Sequence, residues 1–451
     1  MSCVSSNETI AVIGLGYVGL PLAMAFAEAG KRVIGFDTNA KKITAYTQGQ
    51  DPTGEVGSKR LQAAETLFFT NNPDELSAAD IFIVAVPTPV DQAQQPDTSI
   101  LESACRLVGR VLRKGNIVVF ESTVYPGCTE EVCLPILESE SGLQLNTDFS
   151  LGYSPERVSP GDDARTLQQV VKVVAGSNDT AKDYLVNLYG QVIEAGIYPA
   201  KSIQVAEAAK VIENTQRDIN IAFVNELSMI FDRLGLNTQD ILDTAASKWN
   251  FLSFKPGLVG GHCIGVDPYY LSYKAMISGA RPEMICAGRR INDAMAHYVV
   301  EQTIKKMIQS DISIKGARIG VMGVTFKENC PDIRNSKVFD VIKELADYGA
   351  QVIVTDPCAD PDDVYQYQQI TLEDQSALWA LDVLIVAVNN RQFESMEDKH
   401  ISSLYRIGHG VCIDVKGCVA TKIERHLNYW SLLYHQMPQC VMSGEKHETL
   451  C

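Results

Sequence analysis

Five short apolar runs punctuate the first 125 residues: Thr9–Ile13 (TIAVI), Arg32–Asp37 (RVIGFD), Leu67–Thr70 (LFFT), Asp80–Val86 (DIFIVAV) and Asn116–Thr123 (NIVVFEST). They are rich in β-branched residues and do not alternate apolar with polar positions. Such runs suit strands buried on both faces, and strands of that kind belong to parallel sheets covered by helices. Helical stretches between them, Gly19–Ala29 and Ser99–Leu112, provide the crossovers of βαβ units. Further strand-like runs follow at Phe149–Tyr153, Gln169–Ala175 and Gln191–Ile197, so the first domain is expected to end near residue 198.

The same wiring resumes from Gly316, with runs at Arg318–Gly323, Gln351–Asp356, Asp382–Val388 and Val411–Val415 and helical stretches at Ser336–Tyr348 and near Leu372–Ala380. This is a second α/β domain of similar organisation without being a sequence repeat. Between the two lies Ser202–Gly235, free of proline and of internal glycine, with apolar residues at three-to-four spacing. Ser202 suits the N-cap and Gly235 the C-terminal glycine position. A helix of about 30 residues would span about 45 Å, more than one domain needs, so it is expected to link two domains or form a dimer interface. Two helices broken near Asn214–Gln216 is the other reading. The expected architecture is therefore α/β, with two Rossmann-like doubly wound parallel-sheet domains (residues 1–198 and 313–436) joined through a helical region at 199–312. A polar tail without periodicity runs from Met437 to Cys451.

At about 150 residues per domain, a length of 451 fits two or three domains. The charge balance, 39 Lys and Arg against 55 Asp and Glu, gives −16. So acidic a chain is a poor binder of nucleic acid or anionic membrane, and any anionic ligand has to be met by a local positive site. The 12 cysteines include no Cys-x-x-Cys pair and no matching histidine spacing, which argues against a zinc site. MSCVSSNETIAVIGLG lacks the basic region and long apolar stretch of a signal peptide. No apolar run reaches the ~18 residues of a membrane span, and scattered thiols suit a reducing compartment. The expectation is a soluble cytoplasmic protein.

Gly14-Leu15-Gly16-Tyr17-Val18-Gly19 is a G-x-G-x-x-G motif placed directly after a strand and before a helix. The first glycine permits the tight turn, the second lets backbone approach a pyrophosphate, and the third allows close helix–strand packing. Asp37 ends the next strand, where a carboxylate can accept both ribose hydroxyls and repel a 2′-phosphate. NAD is the expected cofactor; a flavin or a structural glycine turn is the other reading. Lys42, five residues on, is a cation that would tolerate the extra phosphate of NADP. Thr88, within Val86-Pro87-Thr88-Pro89, follows a strand's carboxyl end, where doubly wound sheets bind their cofactor.

In Phe254–Pro268 (FKPGLVGGHCIGVDP) four glycines flank Cys263, leaving the thiol uncrowded and letting a ligand approach the backbone. In a dinucleotide oxidoreductase such a thiol can attack an aldehyde, and the thiohemiacetal can yield a second hydride to become a thioester. Residues alone leave open that Cys263 is one inert thiol among twelve. His262 is adjacent, but neighbouring side chains diverge, which makes it a weak candidate base.

The segments IAVIGLGYVGLPLA, VAVPTP, ESTVYPGCTEE, YSPERVSPGD, AEAAKVIENTQRDINIAFVNEL, GLVGGHCIGVDPYYL and GVTFKENCPDIRNS resemble the UDP-glucose/GDP-mannose dehydrogenase superfamily, up to about residue 430. VDPYYL with AGRRIND is similar to the UDP-N-acetylhexosamine 6-dehydrogenase branch of bacterial surface-polysaccharide synthesis. Val266 stands where UDP-glucose dehydrogenases carry lysine, which counts against UDP-glucose. The resemblance implies two successive NAD-dependent oxidations of a sugar 6-hydroxymethyl group to a carboxylate, with Cys263 as nucleophile. It assigns Lys210 and Asn214, one helical turn apart, to the developing oxyanion. Asp267 is assigned to ordering or deprotonating a water in the alcohol step. Glu156 assists thioester hydrolysis, and Thr123 holds the same water.

By the same resemblance Lys327, with Phe326, contacts the nucleotide sugar, and Arg334 meets the cofactor phosphate across the domain cleft. Arg157 and the loop of Phe254, Lys255, Gly257 and Gly260 are substrate contacts. The expected partners are a UDP-N-acetylhexosamine, with UDP-N-acetylglucosamine favoured over its galactosamine epimer, and a second copy of the chain. UDP-glucose or GDP-mannose as substrate, and a catalytically silent NAD-binding scaffold, are the other readings. Silence is disfavoured because drift has no reason to spare all of Thr123, Glu156, Lys210, Asn214, Cys263 and Asp267.

Overall fold

The computed structural model describes residues 8–91, 93–157, 166–406, 410–423 and 427–435; the expected tail lies outside them. The chain divides into two compact units, Met1–Thr215 with Val266–Pro282, and Gln216–Gly265 with Glu283–Cys451.

The first unit is built on eight strands: β1 (Thr9–Ile13), β2 (Arg32–Phe36), β3 (Leu67–Thr70), β4 (Ile81–Val84), β5 (Ile117–Phe120), β6 (Ser150–Tyr153), β7 (Lys172–Gly176) and β8 (Ile197–Pro199). They form one sheet in the order β3-β2-β1-β4-β5-β6-β7-β8. Every pairing is parallel except β6 with β7, which is antiparallel. The lack of alternation in these strands is explained by the two cores. Ala11, Ile13, Phe82, Val84, Val118 and Phe120 pack on one face with Leu101, Ala104 and Val108 of the Ser99–Val111 helix. Ile10, Val12, Ile81, Ile83 and Val119 face the other way, against Leu20 and Ala23 of the Gly19–Glu28 helix and Leu185 and Leu188 of the Asp179–Tyr189 helix. The central strands β1, β4 and β5 thus bury both sets of side chains, as period-two geometry between two helical layers requires, whereas the edge strands β3 and β8 expose Phe68 and Tyr198.

The expected strand Gln191–Ile197 is corrected to β8. Its apolar content, Val192 and Ile193, is buried against the Asp179–Tyr189 helix and does not pair in the sheet.

The second unit carries β9 (Arg318–Met322), β10 (Gln351–Thr355), β11 (Val383–Val386), β12 (Val411–Asp414) and β13 (Asn428–Trp430), all parallel in the order β10-β9-β11-β12-β13. Ile319, Val321, Ile385 and Ile413 pack with Met295 and Val299 of the Glu283–Gln309 helix. Met322, Leu384, Val386 and Cys412 pack with Phe393 and Ile401. The helix expected near Leu372–Ala380 is replaced by a bridge at Leu372 and a single 3₁₀ turn, Gln375–Ala377. The helix of that crossover is Pro361–Gln368, started by Pro361 and by the Asp360 carboxylate, which accepts the Asp362 and Asp363 N–H groups.

The long segment is one unbroken helix, Ile203–Leu234, and the boundary between the units falls inside it. Ser202 Oγ accepts the Val205 N–H at its start, and Gly235, at φ +72°, closes its end. Among the described residues, no helix is long and apolar enough to cross a membrane.

Candidate functional site

In the first unit the glycine motif forms a turn whose three glycines meet different surroundings. Gly14 has φ +95°, and a Cβ there would lie 2.7 Å from the Ala85 carbonyl oxygen at the end of β4. A Cβ on Gly19 would lie 1.9 Å from the Gly14 carbonyl oxygen. A Cβ on Gly16 would meet nothing within 4 Å beyond its own chain neighbours. Two glycines therefore serve close packing, and the middle one keeps backbone accessible at a helix N-terminus, where anions bind.

The Asp37 carboxylate is aimed by two backbone donors, Leu15 N–H at 3.0 Å and Asn39 N–H at 2.9 Å. Buried Tyr46, which sequence reasoning missed, donates its hydroxyl to the Leu15 carbonyl at 2.8 Å and fastens the turn. Tyr17 and Val18 are half-buried. The Lys42 backbone N–H is used in capping Ala40–Thr47 through Asn39. Thr88 is buried after β4 beside Tyr270, whose hydroxyl donates to the Pro89 carbonyl at 2.9 Å. An open glycine between two packed ones, with an oriented carboxylate ending β2, fits the pyrophosphate and ribose of NAD.

The one-turn spacing of Lys210 and Asn214 has a direct structural consequence: both reach Asp267. Asn214 Nδ2 donates to Asp267 Oδ2 at 2.6 Å, and Lys210 Nζ stands 3.5 Å from the same oxygen. All three side chains are buried. Burial pushes the Asp267 carboxyl above the usual carboxylate range, opposed by Lys210 and Asn214, which is the setting that makes a carboxylate a useful base. One turn before Lys210, buried Glu207 accepts the Gly127 and Thr129 N–H groups and so fixes the loop that follows Thr123. Its i−3 spacing from Lys210 was the signal available in the sequence.

Thr123 is half-buried after β5. Glu156 follows β6; its Oε1 accepts the Arg157 N–H, and its Oε2 accepts from buried Lys172 Nζ at 3.2 Å. The Arg157 guanidinium pairs with Glu213.

In the second unit Cys263 is exposed. The other described cysteines are buried (105, 128, 133, 330 and 412) or intermediate (286, 358 and 418). The loop before it is tied down by backbone. Asn225, buried on the long helix, accepts the Gly257 N–H at 2.8 Å and donates to the Gly257 carbonyl at 3.1 Å. Gly261, at φ +83°, donates its N–H to the Arg334 carbonyl, and a Cβ there would strike the Phe326 ring at 2.8 Å. A Cβ on Gly260 would lie 2.7 Å from the Asn335 carbonyl oxygen. Asn225 was not legible in the sequence, because its partner lies 32 residues away.

Gly260, Thr325, Phe326, Ser336 and Lys416 line a cleft; Lys416, also missed, pairs with Glu328. Phe254 and Lys327 are half-buried and Lys255 is exposed. The Arg334 guanidinium lies on the Asp332 carboxylate, with Nη2 to Oδ2 at 2.6 Å. Burial, with Arg334 nearby, lowers the His262 pKa to about 4, so the ring is neutral at physiological pH.

The doubly wound sheet with its glycine cradle and oriented Asp37 places the chain among the NAD-dependent oxidoreductases. More specifically, it belongs to the UDP-glucose/GDP-mannose dehydrogenase family, whose NAD binding domain matches residues 8–193, central domain 204–294 and UDP binding domain 320–421. It is 50% identical over 407 residues to a UDP-N-acetyl-D-glucosamine 6-dehydrogenase of Pseudomonas aeruginosa, covering 90% of this chain and 96% of that one. It is 47% identical over 413 residues to Protein CapL of Staphylococcus aureus, covering 92% and 96%. Among solved structures, the UDP-D-ManNAc dehydrogenase of Pyrococcus horikoshii superposes with a TM-score of 0.84 at 28% identity, covering 94% of this chain and 99% of that one.

Proposed function

We propose that this chain oxidises the 6-hydroxymethyl group of a UDP-N-acetylhexosamine, UDP-N-acetylglucosamine above its epimer, to the carboxylate, as a step of surface-polysaccharide synthesis. The observation that carries the chemistry is the buried Lys210–Asn214–Asp267 cluster. Burying a charge pair is costly, and an ammonium and an amide converging on a carboxylate whose own pKa is raised form a proton-accepting, oxyanion-stabilising group. The choice of sugar is supported by the identity with the Pseudomonas aeruginosa enzyme over nine-tenths of this chain and by Val266.

NAD, held by the Gly14–Gly19 turn and Asp37, takes the hydride in each of the two oxidations when bound. Asp267, through a water, accepts the proton of the C6 hydroxyl, while Lys210 and Asn214 stabilise the alkoxide. The Cys263 thiolate adds to the aldehyde carbon to give a thiohemiacetal, and its oxidation yields a thioester. Glu156 accepts a proton from a water held by Thr123, and that water's oxygen bonds to the acyl carbon. The C–S bond breaks, its electron pair leaves with the Cys263 sulfur, and the uronic acid is released. Phe254, Lys255, Gly257, Gly260, Phe326, Lys327 and Arg157 are the proposed substrate contacts, and Arg334 the contact to the cofactor phosphate. The division at residues 198 and 312 into NAD-binding, central and UDP-binding parts belongs to the same reading.

The protein is further proposed to be a homodimer. Val205, Ile212, Phe223, Ile230 and Leu234 are 44–64% exposed. At 100° per residue they fall within about 40° of one another on the Ile203–Leu234 helix, an apolar stripe suited to a second copy.

NADH release from UDP-N-acetylglucosamine, UDP-N-acetylgalactosamine and UDP-glucose in parallel tests the substrate assignment. The highest kcat/KM is expected with UDP-N-acetylglucosamine; a higher value with UDP-glucose refutes it.

A further inference from the structure

One buried ionic cluster in the first unit joins Glu156 to two residues, Lys172 and Glu121, that have no part in the chemistry above. Lys172, at the start of β7, has its ammonium between two carboxylates, 2.8 Å from Glu121 Oε2 and 3.2 Å from Glu156 Oε2. The Glu121 side chain is 0% exposed, that of Lys172 3% and that of Glu156 10%. Tyr189, at the end of the Asp179–Tyr189 helix, donates its hydroxyl to Glu121 Oε1 at 2.6 Å, and Lys172 Nζ lies 5.3 Å from its ring centre. The Ser154 carbonyl is 3.5 Å from the ammonium. The far side of Glu156 is held by the Arg157 N–H on Oε1. The Ser154 side chain also bonds to Tyr189, so groups from β5, β6, β7 and the helix meet at the cluster.

A structural ion pair needs one carboxylate for one ammonium. Here the second carboxylate is Glu156, at the least buried edge of the cluster, and the first, Glu121, lies two residues before Thr123 in the chain. A single lysine therefore ties together the two strand ends that carry the residues assigned to the hydrolytic water. We propose that Lys172, anchored by Glu121, is the positioning residue that keeps Glu156 aimed for thioester hydrolysis. This rests on the assignment of Glu156 to that step. Lys172 touches neither substrate nor cofactor in this role; it acts through Glu156. Burial raises the Glu121 pKa to about 6 against the pull of Lys172, in keeping with two carboxylates competing for one cation.

The test uses the full-length enzyme with NAD and UDP-N-acetylglucosamine, following the NADH burst by rapid mixing and acyl-enzyme decay by quenching and intact mass. Glu156→Gln is expected to slow acyl-enzyme decay by about 100-fold while the burst keeps two NADH per subunit. Lys172→Met should keep that burst and slow decay about tenfold or more, with Lys172→Arg restoring most of the rate. Glu121→Gln, which removes the anchor of the ammonium, should likewise slow decay and leave the burst intact. A purely structural role would reduce burst amplitude and rate together, and Lys172→Arg would not restore the decay selectively. Normal decay in Lys172→Met beside slow decay in Glu156→Gln overturns the positioning role and leaves the Glu156 assignment standing. Normal decay in Glu156→Gln itself overturns both. If Lys172→Met does not fold, the nearly isosteric Glu121→Gln decides, and normal acyl-enzyme decay there refutes the proposal.

Discussion

Substituting alanine at Gly16 and at Gly19, three residues apart in one turn, should have opposite consequences. A Cβ on Gly19 would sit 1.9 Å from the Gly14 carbonyl oxygen and 3.3 Å from Val12 Cγ1. Because the nearer atom is backbone, the turn or the whole Gly19–Glu28 helix has to move, and such overpacking costs about 1–3 kcal/mol or more. At Gly16 there is open space to 4 Å, so Gly16→Ala should leave the melting temperature unchanged, or raise it slightly through the unfolded chain. What it removes is close approach of a pyrophosphate to the backbone. Losing two N–H bonds to a charged oxygen, about 1.5 kcal/mol each at the low end, weakens NAD binding by about 3 kcal/mol, or about 100-fold in Kd. Thermal melting paired with calorimetric titration of NAD reads both quantities. Unchanged NAD affinity in Gly16→Ala, or a wild-type melt in Gly19→Ala, refutes the assignment of the three glycines.

Two other predictions concern the helix stripe and His262. Phe223→Asp, in the middle of the stripe, should convert a dimer to monomer in light scattering; an unchanged mass would show that the stripe is not the interface. The His262 pKa, lowered from 6.5 to about 4, makes the unfolded chain bind a proton that the folded chain refuses. The stability this contributes is present above pH 6.5 and is lost as pH falls toward 4, by at most about 3 kcal/mol. His262→Gln should flatten that part of the stability–pH curve in urea unfolding, and an unaltered slope contradicts the half-buried neutral ring.

The fold was legible where side-chain pattern and burial agree. β1 was read to the residue because a strand covered on both faces is continuously apolar; β3, at the sheet edge, kept an apolar run although Phe68 is exposed. The Pro361–Gln368 helix was missed because only Val364 of its residues is buried, leaving no amphipathic period to read. β13 spans three residues, Asn428–Trp430, too few for any pattern. In the site, Lys210 and Asn214 were singled out by the family resemblance, and local helical spacing added only that they share one face. Lys172, 51 residues from Glu121, and Asn225, 32 from Gly257, meet their partners only through the tertiary fold, and nothing in their flanking residues marks them. The reach of Lys210 and Asn214 to Asp267, over 57 and 53 residues, was likewise invisible to spacing.

The central claim is that one thiol carries a sugar through two oxidations. Its most direct test is the number of NADH formed per UDP-N-acetylglucosamine consumed, measured together with the mass of the quenched enzyme. Two NADH per sugar and a transient acyl adduct on Cys263 are expected, with both the adduct and the second NADH lost in Cys263→Ala. One NADH per sugar in the wild type, or two in Cys263→Ala, would contradict it.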